Sequence, residues 1–276
     1  MSQIESTWSD SYKQMVDRNV GFISAEQQEK LRACKVAVFG AGGIGGTAFE
    51  VLVRAGIGRF SIVDRDVFEP TNLNRQILAT RRTLGRRKID VAAVRAKEIN
   101  PDVLVEKFDH IDEANVGAIL DGAAAAVMGI DSLGPCIIAS RKCRELNIPL
   151  VEGWAIPYGN VRVFTRDTPA LEQVYGLPTE GRAVAGIPEQ ELKQFGLLIF
   201  QQLGRIEGIR DYYSDAAVDG IRRGRIVSFA PTVWLTAVLM ALEAVKVLLD
   251  WGTPALSPDL ALYDPFRHRL PSAPPG

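Results

Sequence analysis

The chain has 276 residues, with 32 Lys and Arg against 33 Asp and Glu, and therefore a formal net charge of −1 at pH 7. Its 47% hydrophobic and 24% charged residues are typical of a folded globular protein and argue against an intrinsically disordered or collagen-like chain. The balanced charge gives no overall positive field for a nucleic acid or an anionic membrane, so any anion site must be local.

The first half of the chain alternates strand-like and helix-like segments. After an amphipathic lead at 12–32, a short apolar run at 35–39 ends in a glycine-rich segment, and a helical pattern follows that ends near Gly56. A second strand at 59–63 runs into Asp64. The pattern then predicts a helix at 86–99, a strand at 103–108, a short helix, a strand at 123–130, a helix at 136–146 and a strand at 148–151. This alternation predicts an α/β fold, a Rossmann-like doubly wound and mostly parallel sheet with right-handed crossovers and helices on both faces.

The second half is less regular. A strand-like segment at 160–165 is followed by a stretch at 168–224 that is punctuated by Pro and Gly and has weak periodicity. We expect an additional C-terminal lobe there, α+β or irregular. An apolar helix at 231–250 and an edge strand at 260–263 precede a proline-rich tail that we expect to be frayed.

The apolar helix is the nearest candidate for a membrane span. Glu243 and Lys246 interrupt its apolar run, which favours a buried helix and no membrane association. The N-terminal residues lack the basic flank and apolar stretch of a secretory signal. We therefore expect a cytoplasmic protein.

Cysteine usage agrees with a reducing compartment. The chain contains Cys34, Cys136 and Cys143 and has no C-x-x-C motif, so neither a disulfide framework nor a four-thiolate zinc site can be built. We expect no zinc. All three cysteines are interpreted as small, buried, apolar side chains.

The glycine-rich segment carries the first functional signal. Gly40, Gly42 and Gly45 satisfy G-x-G-x-x-G between a strand and a helix, where the backbone and the helix N-terminus can bind a phosphate. Asp64 follows at the end of the second strand, where a carboxylate can accept hydrogen bonds from ribose hydroxyls. The alternative is tight strand–helix packing without a ligand. A nicotinamide or flavin oxidoreductase would show the same loop and acid.

Further motifs separate these alternatives. They are Asp64-Arg-Asp66, Asn72-Leu-Asn-Arg75-Gln76, Gly85-Arg-Arg-Lys88 and Asp131 just beyond a predicted strand. Together with the glycine loop, these motifs resemble those of the E1-like ThiF/MoeB/HesA adenylyltransferase superfamily. The resemblance covers about residues 18–152, and a weaker resemblance occurs near 231–246. The resemblance implies an enzyme that uses ATP and Mg²⁺ to activate a carboxylate as an acyl adenylate and releases pyrophosphate. The carboxylate is the C-terminus of a ubiquitin-like or sulfur-carrier protein, a peptide or a small carboxylate.

The resemblance also assigns roles to residues. The nucleotide-binding set is Gly40, Gly42, Gly43, Gly45, Asp64, Asp66, Asn72, Arg75, Gln76 and Lys88. The catalytic set is Arg18, Arg75, Lys88 and Asp131, with Asp131 as the metal ligand. Arg18 would cross a homodimer interface into the partner's ATP site. The resemblance implies three parts of the chain: a helical arm at 1–34, an ATP-binding core at 35–152 and a substrate-binding and dimerisation region at 153–276. We expect no nucleic-acid partner.

Elementary chemistry agrees with these roles. A carboxylate is ionised at neutral pH and needs no general base, so the reaction depends on positioning and on neutralising the triphosphate. Arg75 and Lys88 can supply that charge. Taken singly, Arg75 could be a surface ion-pair member, Asn72 a turn residue and Lys88 part of a solvated basic face. The neighbouring Arg81, Arg82, Arg86 and Arg87 are interpreted as such a face.

Two other functions stay open. A NAD(P)-dependent oxidoreductase would use the glycine loop and Asp64 and leave the later motifs unexplained. A non-catalytic nucleotide-binding subunit of an E1-like heterodimer would keep the fold and lack part of the site. For an active enzyme, we expect an adenylate product without an obligatory thioester to the enzyme.

Overall fold

The computed structural model describes residues 7–223, 225 and 227–272. Among these residues the strands are β1 (Lys35–Phe39), β2 (Arg59–Val63), β3 (Leu104–Phe108), β4 (Ala125–Met128), β5 (Leu150–Glu152), β6 (Gly159–Phe164) and β7 (Ala261–Tyr263). They form one sheet in the order β3-β2-β1-β4-β5-β6-β7. The pairs from β3 to β5 are parallel, whereas β6 pairs antiparallel with both β5 and β7. The predicted Rossmann-like, mostly parallel sheet is confirmed.

Ten α-helices surround the sheet within the described residues. They are α1 (Asp10–Val16), α2 (Ala25–Ala33), α3 (Gly43–Arg54), α4 (Lys88–Ile99), α5 (Val116–Leu120), α6 (Leu133–Glu145), α7 (Leu171–Tyr175), α8 (Glu189–Leu203), α9 (Asp215–Arg222) and α10 (Ala230–Leu249). The amphipathic lead is thus two helices, and a capping box of Ser24 and Gln27 begins the second of them.

Successive side chains of a strand point to opposite faces of the sheet, and in this protein both faces are buried against helices. Val36 and Val38 of β1 belong to a hydrophobic cluster with α3, α4 and α10. Ala37 and Phe39 belong to a second cluster with α5, α6, α7 and α8. Helices therefore cover both faces, as the alternating pattern predicts, and strands β6 and β7 of the C-terminal region extend the same sheet.

The stretch at 168–224 combines helices with irregular segments, in keeping with the expected α+β or irregular lobe. In the described residues, its α-helices are α7, α8 and α9. Helix α8 contains Gly196, and its Leu197 and Phe200 are exposed, at 44% and 50%. Residue 224 and the tail from 273 lie outside the described residues.

Helix α10 is the 20-residue apolar helix that the sequence predicts. By length and composition it could cross a membrane, but 56% of that window is buried in the protein, where the helix packs on α3 and β6. Its remaining face is an exposed apolar stripe of Trp234, Val238 and Leu242, each 39 to 47% exposed. The interpretation of this segment as a core helix is confirmed.

Candidate nucleotide-binding site

The glycine loop lies at the carboxyl ends of β1 and β4 and is packed too closely for side chains at two positions. A Cβ on Gly45 would lie 2.0 Å from the carbonyl oxygen of Gly40, and a Cβ on Gly40 would lie 2.6 Å from the carbonyl oxygen of Gly129. Gly40 also has a φ of +93°. Tight strand–helix packing therefore accounts for these two glycines without a ligand.

Gly42 is different, because the space beside it is open. A Cβ there would meet only the side-chain Nε2 of Gln76, at 3.8 Å. Gly42 is the N-cap of α3, and no side chain forms a capping hydrogen bond to that helix. The backbone amides of the first turn have no capping partner and lie at the positive end of the helix dipole. They can therefore bind an anion. Gly43 begins the helix and touches Val233 of α10 and Arg75.

Asp64 ties the glycine loop to the end of β2. One carboxylate oxygen accepts a 2.8 Å hydrogen bond from the amide of Ala41, and the other accepts one of 2.9 Å from the amide of Asp66. Lys88 Nζ lies 2.9 Å from Asp66 Oδ2 and 4.0 Å from Asp64 Oδ2. The Lys88 side chain is 7% exposed, so Lys88 is not part of a solvated basic face. The structure brings all three predicted residues together.

Two predicted amide side chains are buried next to this loop. Asn72 accepts a hydrogen bond from the amide of Glu69 at 3.0 Å, which is the turn role that the sequence left open. Gln76 is 6% exposed, and its Oε1 has no hydrogen-bond partner in the described protein. A buried polar atom without a partner costs about 1 to 3 kcal/mol. The Gln76 atom nearest to Gly42 is Nε2, a donor that suits an acceptor group of a ligand at the loop.

Arg75 is a cation that no carboxylate neutralises within the described chain. Its guanidinium donates hydrogen bonds to the carbonyl of Thr71 at 3.0 Å and to Asn74 Oδ1 at 2.9 Å. Its backbone carbonyl accepts a 2.8 Å hydrogen bond from the indole of Trp234. The charge of Arg75 is therefore available to an anionic ligand near the first turn of α3.

Asp131 lies three residues beyond β4, directly before the N-cap of α6. It is exposed and forms no hydrogen bond or ion pair with the described chain. No group of three metal-ligating side chains occurs among the described residues. Mg²⁺ in nucleotide sites is commonly held by one or two carboxylates plus substrate phosphates, so a single free Asp131 fits that mode of binding.

Arg18 is the one predicted site residue that the structure places elsewhere. The arm that carries it packs against the C-terminal end of α3, where Tyr12 donates to the carbonyl of Gly56 at 2.8 Å and Gln28 to that of Ala55 at 3.0 Å. Helix α3 has 12 residues and is about 18 Å long. Arg18 is thus at the opposite end of the sheet from the glycine loop of its own chain.

The sequence did not reveal two residues that shape this site. Gly129 abuts the loop so closely that a Cβ would lie 2.6 Å from the Cα of Gly45. Trp234 contacts Arg75 across 159 residues of sequence. The position of Gly129 between a strand and Asp131 was a usable signal for Gly129. No local sequence pattern indicates that Trp234 contacts Arg75.

The three thiols are poor nucleophiles in this environment. Burial raises the pKa of the Cys143 thiol to about 12 and holds the pKa of Cys136 well above its usual range, with Glu152 and Asp131 adding to the effect. Cys34 is half-buried, and burial raises its pKa as well. Neutral thiols favour the interpretation of Cys136 and Cys143 as apolar core residues.

Comparison with known proteins agrees with this geometry. The sequence profile of the ThiF family matches residues 16–275. The chain belongs to the ThiF family.

Relatives in the ThiF family differ in how much of their length they share with this chain. It is 32% identical over 151 residues to the SAMP-activating enzyme E1 of Haloferax volcanii, covering 54% of this chain and 55% of that protein. It is 31% identical over 261 residues to a sulfur carrier protein adenylyltransferase of Thermus thermophilus, covering 92% and 82%. The first relative is therefore matched over little more than half of its length. Escherichia coli MccB with ATP shares the fold, with a TM-score of 0.66, 19% identity and coverage of 95% and 70%.

Proposed function

We propose that this protein is an ATP-dependent adenylyltransferase that converts a carboxylate into an acyl adenylate and releases pyrophosphate. The observation that carries the proposal is Arg75, which has no carboxylate partner among the described residues and whose Cγ lies beside the first residue of the uncapped helix α3. A hydride-transferring enzyme with the same glycine loop has no need of that cation. The Nε2 donor of buried Gln76, which lies beside Gly42, supports a ligand at the same place.

The chain's own residues bind and orient the nucleotide. The open backbone at Gly42 and the first turn of α3 receive the phosphates, with Gly40, Gly43 and Gly45 shaping the loop. Asp64 and Asp66 lie at the ribose side, and the ion pair with Asp66 orients the Lys88 ammonium. Asn72 fixes the turn that carries Arg75, and Gln76 faces the ligand.

The chemistry is an in-line displacement. A substrate carboxylate oxygen bonds to the α-phosphorus of ATP while the bond to the bridging oxygen breaks, and pyrophosphate leaves with that electron pair. Arg75, Lys88 and Arg18 of a second copy stabilise its charge. Asp131 would hold Mg²⁺, which when bound neutralises phosphate oxygens. High thiol pKa values support a reaction that ends at the adenylate without an enzyme thioester.

The acceptor is the C-terminal carboxylate of a ubiquitin-like or sulfur-carrier protein, a peptide or a small carboxylate. Residues 35–152 form the ATP-binding core, and the elements at 153–276 bind the acceptor. The name of the T. thermophilus relative, a sulfur carrier protein adenylyltransferase, supports the first class. We place the reaction in the cytoplasm, where the free cysteines stay reduced.

Pyrophosphate exchange tests the reaction and the acceptor together. We expect wild-type protein to incorporate labelled pyrophosphate into ATP only when the correct carboxylate is present. A panel of small ubiquitin-like proteins, their C-terminal peptides and carboxylate metabolites identifies the class. Calorimetry should show binding of Mg-ATP and not of NADH. Binding of NADH without ATP would instead identify the oxidoreductase alternative.

We propose a homodimer in which the exposed stripe of α10 packs on its copy. If two α10 helices pack antiparallel across a twofold axis, the C-terminal end of one lies beside the N-terminal end of the other. Phe22 packs edge-to-face against Trp251, just beyond the C-terminal end of α10, and Arg18 lies four residues before Phe22. Val233, at the N-terminal end, lies beside Gly43, where a Cβ would be 3.0 Å from its Cγ1. This arrangement would bring Arg18 toward the glycine loop of the partner, which explains its distance from its own.

Mixing two inactive variants tests this arrangement. Arg18→Ala leaves the ATP site of its own chain intact, and Asp131→Ala leaves Arg18 intact. We expect each variant to be inactive alone, and a randomly reassembled mixture to recover about a quarter of the wild-type exchange rate, because only mixed dimers contain one complete site. Variants refolded separately and mixed without subunit exchange serve as the control. A mixture that stays inactive after verified exchange would contradict the assignment of Arg18.

A further inference from the structure

Trp234 forms a contact that its place in the fold does not require. It is 39% exposed on α10, and its indole Nε1 donates a 2.8 Å hydrogen bond to the backbone carbonyl of Arg75. A partly exposed indole could satisfy its N–H with water. In this protein it instead holds the residue whose guanidinium carries the uncompensated charge of the site.

The segment that bears Arg75 has few long-range ties. The amides of Arg75 and Gln76 both donate to the carbonyl of Asn72, at 3.2 and 2.9 Å, which keeps the turn compact and does not fix its position. Two long-range hydrogen bonds of residues 74–76 go to the start of α10 and the residues just before it: Trp234 donates to the carbonyl of Arg75, and Asn74 donates to the carbonyl of Ser228 at 3.1 Å.

The start of α10 is also the contact point for the phosphate-binding turn. A Cβ on Gly43 would lie 3.0 Å from Cγ1 of Val233 and 3.3 Å from Cγ of Arg75. Residues 233 and 234 therefore touch, respectively, the first residue of α3 and the carbonyl of Arg75. One rigid helix end sets the distance between the arginine and the amides of α3.

We propose that Trp234 is a positioning residue for Arg75, and that its indole hydrogen bond to the Arg75 carbonyl fixes the backbone from which the guanidinium reaches nucleotide phosphates at the first turn of α3. This inference rests on the proposed function, because it takes Arg75 as a phosphate ligand. Trp234 acts through Arg75 and does not touch the nucleotide. The indole hydrogen bond restrains the turn before ATP binds. The turn therefore loses less conformational entropy on binding, and ATP affinity depends on this hydrogen bond.

A double-mutant cycle tests the proposal. Trp234→Phe keeps an aromatic ring on α10 and removes the N–H donor. Binding of the ATP analogue AMPCPP with Mg²⁺ is measured by calorimetry in wild type, Trp234→Phe, Arg75→Ala and the double variant. We expect Trp234→Phe to weaken binding about five-fold in the wild-type background and to have no effect in the Arg75→Ala background. Trp154→Phe, which removes an indole donor to Tyr175, is the matched control and should leave affinity unchanged.

The outcomes separate this proposal from the proposed function. An equal loss of affinity in both backgrounds would mean a general structural effect and would overturn the positioning role alone. Unchanged affinity in Trp234→Phe would do the same. Wild-type protein that does not bind AMPCPP would overturn the proposed function and this inference with it.

Discussion

Asp131→Ala should lower carboxylate-dependent pyrophosphate exchange by about 100-fold or more, while the protein remains folded. The side chain is exposed and forms no hydrogen bond or ion pair with the described chain, so its removal costs little folding free energy. In the proposed mechanism it is the protein's carboxylate ligand to the metal, and loss of such charge stabilisation typically costs several kcal/mol in the transition state.

The measurement is the exchange rate at saturating ATP, together with the melting temperature. Asp121→Ala is a matched control, because Asp121 is also exposed and lies before the amino end of β4, whereas Asp131 lies beyond its carboxyl end. The control should keep wild-type exchange. Wild-type exchange in Asp131→Ala would remove that residue from the mechanism and leave Arg75 and Lys88 to be tested in the same way.

Alanine at two glycines of the same loop should have opposite consequences. Gly45→Ala places a Cβ 2.0 Å from the carbonyl oxygen of Gly40, where backbone must move on both sides, so we expect a loss of more than about 3 kcal/mol in the free energy of unfolding. Gly42→Ala meets only Gln76 Nε2 at 3.8 Å and should cost less than about 1 kcal/mol, the usual effect of a poorer N-cap. Its methyl group would instead occupy the approach of the phosphates and weaken ATP binding about ten-fold.

Urea unfolding and nucleotide calorimetry on both variants distinguish the two effects. The pair forms its own control, because each variant adds one methyl group to the same turn. If Gly42→Ala bound ATP as tightly as wild type, the open space at Gly42 would not be the phosphate position. If Gly45→Ala were as stable as wild type, the close approach of α3 to the end of β1 would not be rigid.

Strand-like runs made most of the sheet predictable from the sequence. The bounds of β1 and β2 agree with the predicted strands because both are short, apolar and ended by Gly40 or Asp64. The stretch at 168–224 was predicted as a lobe without its individual helices, because Pro and Gly interrupt it and a helix such as α7, with 5 residues, is too short to show the 3.6-residue period. Helix α8 packs against α6 and α7, and local sequence does not encode these contacts.

The candidate site was also only partly predictable from the sequence. Asp64, Asp66 and Lys88 were predicted as a group because their motifs resemble those of the E1-like ThiF/MoeB/HesA superfamily, and Asp64 also follows a strand at the edge where nucleotides bind. The contact of Arg75 with Trp234 depends on α10, 159 residues later in the chain. Sequence also could not show that Arg18 lies at the far end of α3, because no local pattern specifies how the arm packs.

The position of α10 has a consequence for how the chain acquires its structure during translation. Phe49 of α3 and Val36 of β1 share one hydrophobic cluster with Ala237, Met240 and Ala244 of α10. When residues 1–152 of a nascent chain have left the ribosome, the chain contains every proposed nucleotide ligand except Arg18 of a second copy. One face of its sheet is still not covered by α10. This hydrophobic cluster is therefore complete only once α10 has been synthesised, and until then its apolar surface is open to chaperones or to aggregation.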